Sequence, residues 1–225
     1  MNIYLDIETV PTQRDDFKEK IAEGVSAPKT ITKAETLAKW EADKKPGAVD
    51  EVYRKTALNG TYGEIICICW AIDDEEVLGV SRTLEGDEGI MLEQFYSQIA
   101  PRLHEPGKPA IPCWIGHYIT EFDLRFIWHR SVVNNIKPSF VIPYAAKPWS
   151  DFVFDTKIEW TGLKSTGAGT LDDVCTALDI PGKGDLDGSK VWGAILEGRY
   201  DEVFEYCKDD VEKVRQLHKR MTFQI

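Results

Sequence analysis

Residues 2–8 alternate between apolar and polar side chains, and this period of two predicts a β-strand with one buried face. Residues 65–72 and 76–82 are two further runs rich in strand-forming side chains. Asp73 and Asp74 separate these runs, as expected for a hairpin turn. Together with the first strand, the two runs predict an antiparallel meander.

The later part of the chain alternates between helical and strand-like patterns. The expected elements are a helix at about 86–104, a strand at 113–115, a helix at about 121–134, a strand at 152–154, and a mostly helical tail from residue 170 with a break at 181–188. A meander followed by strand–helix alternation predicts an α/β fold, in which helices pack on a mixed sheet. We therefore expect residues 1–225 to form a single domain.

One segment interrupts this pattern, at about residues 14–59. It is helix-compatible but contains Pro28 and Pro46, and it carries ten basic and nine acidic side chains. We predict a helical insertion. It is either a solvated excursion from the domain or a flap that contacts a substrate.

The composition is that of a folded globular protein, with 43% hydrophobic and 29% charged residues. The formal net charge of −11 argues against tight, sequence-independent binding of duplex DNA, which needs clustered Lys and Arg. It does not exclude nucleic acid as a substrate, because carboxylates that surround bound metal ions add to the formal charge without repelling a phosphate.

The sequence also predicts where the protein works. Its apolar runs are shorter than the roughly 20 residues that span a bilayer, so no membrane association is expected. The first residues lack the features of a secretory signal. The five cysteines form an odd set without a CxxC pair, which favours reduced thiols over disulfides or a zinc site. A cytoplasmic, reducing compartment is the resulting prediction.

Candidate chemistry begins on the first strand. Asp6 and Glu8 are two residues apart, so both carboxylates project from the same face of the strand, about 6–7 Å apart along the chain. This spacing suits a divalent ion held between two acids. An edge strand whose polar face meets water would show the same pattern.

The last helix adds a third acid. Asp210 occupies a position on its apolar stripe, where a carboxylate is costly unless a metal or a buried basic residue compensates it. Tyr206 lies one turn earlier, so its hydroxyl can reach Asp210. The same periodicity assigns Asp209 and Lys213 to the solvent side.

A fourth acid, Asp123, is expected in the first turn of the helix at 121–134. A carboxylate at that position also gains from the helix dipole. The dipole alone would account for it, so this residue by itself does not establish a metal site.

The segments YLDIETVP, GHYITEFDLRF and EYCKDDV together resemble, in this order, the three motifs of the DEDD superfamily of 3′–5′ exonucleases. The closest resemblance is to the proofreading exonuclease domain of family B DNA polymerases. Tyr206, four residues before the last aspartate, corresponds to the tyrosine subclass. Tyr118 departs from the pattern, because relatives often carry asparagine there.

This resemblance implies a ribonuclease H-like, three-layer fold and metal-dependent hydrolysis of DNA from a single-stranded or frayed 3′ end. It implies that Asp6, Glu8, Asp123 and Asp210 hold two Mg²⁺ or Mn²⁺ ions and that Tyr206 orients the attacking water. Candidate substrate contacts are Thr9, His117, Tyr118 and Lys183.

Two alternative functions stay open. One is an exoribonuclease with the same site, and the other is a non-catalytic module that binds nucleic acid or protein. A replication or repair protein is a possible partner.

Overall fold

The computed structural model describes residues 1–103, 112–147, 149–162, 169–181 and 186–224. Within these ranges the strands are β1 (Asn2–Val10), β2 (Glu64–Ile72), β3 (Leu78–Ser81), β4 (Cys113–Gly116) and β5 (Val153–Asp155). They form one sheet in the order β3-β2-β1-β4-β5. The pairs β3–β2 and β2–β1 are antiparallel, whereas β1–β4 and β4–β5 are parallel. The predicted mixed sheet, a meander followed by parallel strands, is confirmed.

The described helices are α1 (Asp15–Gly24), α2 (Ala34–Asp43), α3 (Lys45–Lys55), α4 (Glu88–Leu103), α5 (Asp123–Val133), α6 (Thr156–Thr161), α7 (Leu171–Ala177), α8 (Val191–Leu196) and α9 (Tyr200–Met221). A 3₁₀ turn, Thr56–Leu58, connects α3 to the approach to β2. None of these helices is both long and apolar enough to cross a bilayer. Helix α6 has no counterpart in the sequence prediction, because six residues are too few to show a helical period.

The alternation along β1 divides its side chains between two cores. Ile3, Leu5 and Ile7 belong to an apolar cluster with residues of α4 and α5. Tyr4 belongs to a second cluster, on the opposite face of the sheet, with residues of α8 and α9. The result is a three-layer arrangement of helices, sheet and helices, consistent with a ribonuclease H-like fold. Because side chains two residues apart share a face, the acidic positions of β1 lie on the side of α9.

Helices α1, α2 and α3 follow β1 and precede β2 in the chain. None of them contains a fully buried residue. The chain next to them is nevertheless attached to the end of β1, where the Thr12 amide donates a hydrogen bond to the Thr56 hydroxyl at 3.0 Å. The segment is therefore anchored beside the carboxyl end of the central strand while remaining largely exposed.

Candidate metal and active site

Three carboxylates from the two ends of the chain meet at one place. Asp6 and Glu8 extend from β1 toward α9, and Asp210 extends from α9 toward the sheet. One carboxylate oxygen of each lies within 4.8 Å of the others, and within the described residues no other set of at least three such side chains converges in this way. The sequence placed Asp6 with Glu8; the fold adds Asp210, more than two hundred residues away in the chain.

The geometry of these carboxylates fits a bound cation. Oδ2 of Asp6 is buried and has no hydrogen-bond partner among the described residues. A buried carboxylate oxygen without a partner is costly, and a cation would satisfy it. The donor set consists of oxygen atoms alone, which is the kind of set that Mg²⁺ and Mn²⁺ prefer. These residues therefore suit hard divalent ions.

The carboxylates oppose one another's ionisation while no cation is present. Burial, followed by the charges of Asp210, Glu8 and Asp123, holds the pKa of Asp6 well above its usual range. Burial also raises the pKa of Glu8, to which the Cys67 thiol, Asp210 and Asp123 add. Asp6 and Glu8 are each still partly exposed to solvent, so a cation can reach them. Because the clustered carboxylates repel one another, binding a cation at this site is favourable.

Asp123 is buried at the start of α5, beside the three-carboxylate group. It contributes to the electrostatic field at both Asp6 and Glu8. Burial raises its pKa to about 7, an effect increased by the charge of Asp155 and opposed by hydrogen bonds from the backbone at Asp123 and Ile7. The structure thus brings the fourth predicted acid to the site, but outside the set of oxygens that lie within 4.8 Å of one another.

The raised pKa of Asp123 predicts a pH-dependent difference in stability between the wild-type protein and Asp123→Asn. The stabilising contribution of this carboxyl group is complete below its unfolded-state pKa near 3.8 and is lost as pH rises through about 7. The variant cannot titrate there. In EDTA, we expect it to melt several degrees above the wild type at pH of about 8, with the difference shrinking toward pH of about 4. A difference in melting temperature that does not change with pH would contradict this assignment.

Tyr206 lies one turn before Asp210 on α9, and the Asp210 carboxylate acts electrostatically on its phenol. Burial and the charges of Asp210, Glu8 and Asp6 raise the pKa of its phenol far above the usual value. The hydroxyl therefore keeps its proton at neutral pH. It can donate or accept a hydrogen bond at the site, but it cannot serve as a strong base.

A basic residue, Lys213, also lies at this site, although its position on α9 predicted exposure to solvent. Lys213 is 5% exposed, and its Nζ lies 2.8 Å from Oδ1 of Asp210. The same atom lies 3.3 Å from Asp209 and 3.4 Å from Asp172, and 5.7 Å from the centre of the Tyr206 ring. Burial lowers the pKa of the Lys213 ammonium, but the hydrogen bond to Asp210 and the three negative charges outweigh this, so the pKa is raised.

This finding corrects the prediction that Lys213 and Asp209 lie on the solvent side of α9. The Asp209 side chain is 11% exposed. Helical periodicity indicates which face a residue occupies, but not how far neighbouring elements extend over the edge of that face. Here Asp172, at the start of α7, contacts Lys213 and shows that α7 reaches it.

Asp155, at the end of β5, is a residue that the sequence analysis did not identify. It is completely buried, and its carboxylate accepts hydrogen bonds from the Tyr118 and Thr120 amides and from the Thr120 hydroxyl. It also caps α6 through the Lys157 and Ile158 amides. Asp155 therefore fixes the loop that leads to Asp123. An acid directly after a short apolar run was the only available signal in the sequence.

Tyr118 has a left-handed backbone, with φ of 70°. Asparagine tolerates this conformation better than most other residues, in keeping with the asparagine that the resemblance led us to expect at this position. In this chain the tyrosine ring lies 4.3 Å from Nζ of Lys157, close enough for a cation–π contact. The departure from the motif leaves the hydrogen bond from the Tyr118 amide to Asp155 intact.

The other candidate substrate contacts differ in their surroundings. The Thr9 hydroxyl donates a hydrogen bond to the Ala57 carbonyl at 2.7 Å, and the residue lines a cleft beside Glu8. Both ring nitrogens of His117 are engaged, with the Thr156 hydroxyl and the Gly169 carbonyl at 3.0 Å each. This arrangement favours a structural role for His117. Lys183 lies outside the described residues.

The sequence matches a protein family described as a predicted 3′–5′ exonuclease related to the exonuclease domain of PolB, over residues 56–223. The match covers about three quarters of the 225 residues. The chain belongs to this family. Asp123, Tyr206 and Asp210 lie within the matched region, whereas Asp6 and Glu8 on β1, and helices α1–α3, precede it. No curated protein matches the sequence.

Proposed function

We propose that this exonuclease-family protein hydrolyses single-stranded DNA from the 3′ end and releases nucleoside 5′-monophosphates, in a reaction that depends on two divalent cations. One observation carries the proposal: Asp6, Glu8 and Asp210 converge within 4.8 Å, and one buried oxygen of Asp6 lacks a partner among the described residues. DNA is the proposed substrate because the family is related to the exonuclease domain of PolB.

The four acids have separate parts in this proposal. Asp6, Glu8 and Asp210 would hold one ion, and Asp123 together with Asp6 would hold the other. When bound, such a pair of ions activates a water molecule and stabilises the leaving oxyanion in an in-line displacement at phosphorus. The described structure supports this assignment through the acids' positions and through the absence of a competing nitrogen or sulfur ligand in the converging group.

Tyr206 orients the attacking water in this proposal. Its hydroxyl stays protonated, because burial and the charges of Asp210, Glu8 and Asp6 raise its pKa. Lys213 contacts both the Asp210 carboxylate and the face of the Tyr206 ring. It is therefore a positioning residue that fixes the side chains of a ligand and of the tyrosine at the same time.

The function is tested with an oligonucleotide labelled at its 5′ end and incubated with Mg²⁺ or Mn²⁺. We expect a ladder that shortens from the 3′ end, and no digestion when EDTA replaces the metal. Matched single-stranded, duplex, mismatched and RNA substrates are compared in parallel. Faster digestion of RNA than of DNA would show that the protein is an exoribonuclease. Binding of nucleic acid without digestion under all metal conditions would show that it is a non-catalytic binding module.

Tyr206→Phe is expected to slow turnover by about tenfold while changing DNA affinity little. The substitution keeps the ring and its contact with Lys213 but removes one hydrogen-bonding hydroxyl, and a neutral hydrogen bond contributes about 0.5–1.5 kcal/mol. Single-turnover rates at saturating enzyme measure the first effect, and anisotropy with labelled DNA measures the second. Equal losses in rate and affinity would argue against a role in orienting water.

A further inference from the structure

A cleft of about 460 Å³ opens directly beside the acidic site. Its size falls within the roughly 300–1,000 Å³ range of small-molecule sites. One side is formed by Glu8 and Thr9 at the end of β1 and by Phe122, the residue before Asp123. Glu8 therefore belongs both to this cleft and to the acidic site.

A second part of the lining comes from helix α3 and the 3₁₀ turn that follows it. Glu51, Arg54 and Lys55 of helix α3 line the cleft, together with Leu58 of the 3₁₀ turn. The match to the exonuclease family begins at residue 56. Helix α3 thus lies before the matched region and lines the cleft beside the site of the proposed chemistry.

Two contacts hold this part of the lining in place. The Thr9 hydroxyl donates a hydrogen bond to the Ala57 carbonyl, which ties the 3₁₀ turn to the end of β1. On α3, the Tyr53 ring makes an edge contact with Trp192 of α8, at 6.2 Å between ring centres. Trp192 itself lines the cleft, so α3 and the 3₁₀ turn that follows it are each attached to another part of the lining.

The lining combines the two features that bind single-stranded nucleic acid. Phe122 and Trp192 are half-buried aromatic side chains, and Leu58 is 70% exposed at the cleft. Aromatic faces stack on bases without sequence preference, and basic side chains follow the phosphates. Arg54 and Lys55 supply the positive charge on the α3 wall.

Arg54 and Lys55 are available for phosphate binding. Each forms an exposed ion pair one turn back along α3, Arg54 with Asp50 at 2.8 Å and Lys55 with Glu51 at 2.6 Å. Exposed pairs of this kind contribute little free energy, so a phosphate oxygen can replace the carboxylate. The charge distribution also favours phosphate binding on this segment, because residues 14–59 are nearly neutral whereas the rest of the chain is strongly acidic.

We propose that helix α3 is a strand-binding wall of the active-site cleft, where Arg54 and Lys55 hold backbone phosphates of the single strand whose 3′ end enters the acidic site. This inference rests on the proposed function for the identity of its ligand. Of the two roles expected for the insertion at about residues 14–59, it favours contact with a substrate over a solvated excursion from the domain.

The test compares two double variants that lose the same charge. Arg54→Gln with Lys55→Gln removes the proposed phosphate contacts, and Lys29→Gln with Lys39→Gln removes two exposed lysines of the same segment that do not line the cleft. The probe is a fluorescent single-stranded oligothymidine of about ten nucleotides. Its Kd is measured by anisotropy across a salt series, with Ca²⁺ replacing Mg²⁺ so that binding is measured without turnover. Thermal melting checks that both variants are folded.

We expect the Arg54–Lys55 variant to bind about tenfold more weakly and the slope of log Kd against log salt to fall by about 1.4, since each single-strand phosphate contact contributes about 0.7. The Lys29–Lys39 variant should keep the wild-type slope. Equal slopes for both double variants, or no binding by the wild type, would overturn the inference. Wild-type binding with the expected slope change but without digestion in Mg²⁺ or Mn²⁺ would uphold the strand-binding wall and reject the proposed hydrolysis.

Discussion

Asp6→Asn is expected to abolish digestion, with a rate loss of at least about 10³-fold, or about 4 kcal/mol in the activation barrier. Asp6 faces both other carboxylates of the group, and its Oδ2 has no partner among the described residues. The amide keeps the shape of the side chain but removes the charge on which cation binding depends. Initial rates on labelled oligonucleotide at saturating Mn²⁺ measure the loss.

The same variant is expected to be more stable than the wild type when metal is absent. Burial and the charges of Asp210, Glu8 and Asp123 make the ionised form of Asp6 unfavourable, and asparagine relieves that cost. Melting in EDTA at neutral pH tests this expectation, with Asp15→Asn as the control because Asp15 is an exposed acid on α1. Digestion at the wild-type rate would reject the proposed site. A loss of both activity and stability would indicate that Asp6 is structural.

Lys213→Met is expected to reduce the rate of digestion by about 10- to 100-fold at saturating metal, the usual cost of losing a partner that orients a metal ligand. Lys213 donates to Oδ1 of Asp210 and lies against the Tyr206 ring. Methionine keeps most of the length of the side chain but leaves the buried carboxylate without its ammonium. We therefore also expect a marked loss of stability in EDTA, because removing one partner of a buried ion pair is costly.

Lys208→Met is the matched control for this experiment. Lys208 is on the same helix, pairs with Glu205 three residues earlier at 3.1 Å, and lies 5.7 Å from the centre of the Phe204 ring. It reproduces the local contacts of Lys213 at a more exposed position, where such a pair contributes little. If Lys213→Met loses stability but digests as fast as Lys208→Met well below both melting temperatures, Lys213 only stabilises the fold and does not position the site.

The order of strands and helices was largely predictable because their patterns are local. Residues 2–8 showed a period of two, and β1 spans Asn2–Val10. The helix predicted at 121–134 is α5, Asp123–Val133. Helix α6 was missed, because its start depends on capping by Asp155 rather than on a repeating apolar pattern.

The candidate site was predictable only in part. Asp6, Glu8, Asp123, Tyr206 and Asp210 were identified from spacing and from the resemblance, and the fold places them together. Lys213 was assigned to the wrong environment, because its burial depends on α7, an element that periodicity within α9 cannot reveal. The family match does not extend to Asp6 and Glu8, so the fold is what joins β1 to the matched region.

The sequence by itself determined the alternation that turns the acids of β1 toward one face, the apolar stripe that carries Asp210, and the motifs that resemble an exonuclease. These are properties of neighbouring residues, and the geometry of a strand or a helix is enough to fix which way their side chains point. Only the tertiary structure decided that Lys213 neutralises part of the acidic site and that α3 forms a wall of the cleft beside it. Both depend on distances between segments far apart in the chain, which no local pattern records.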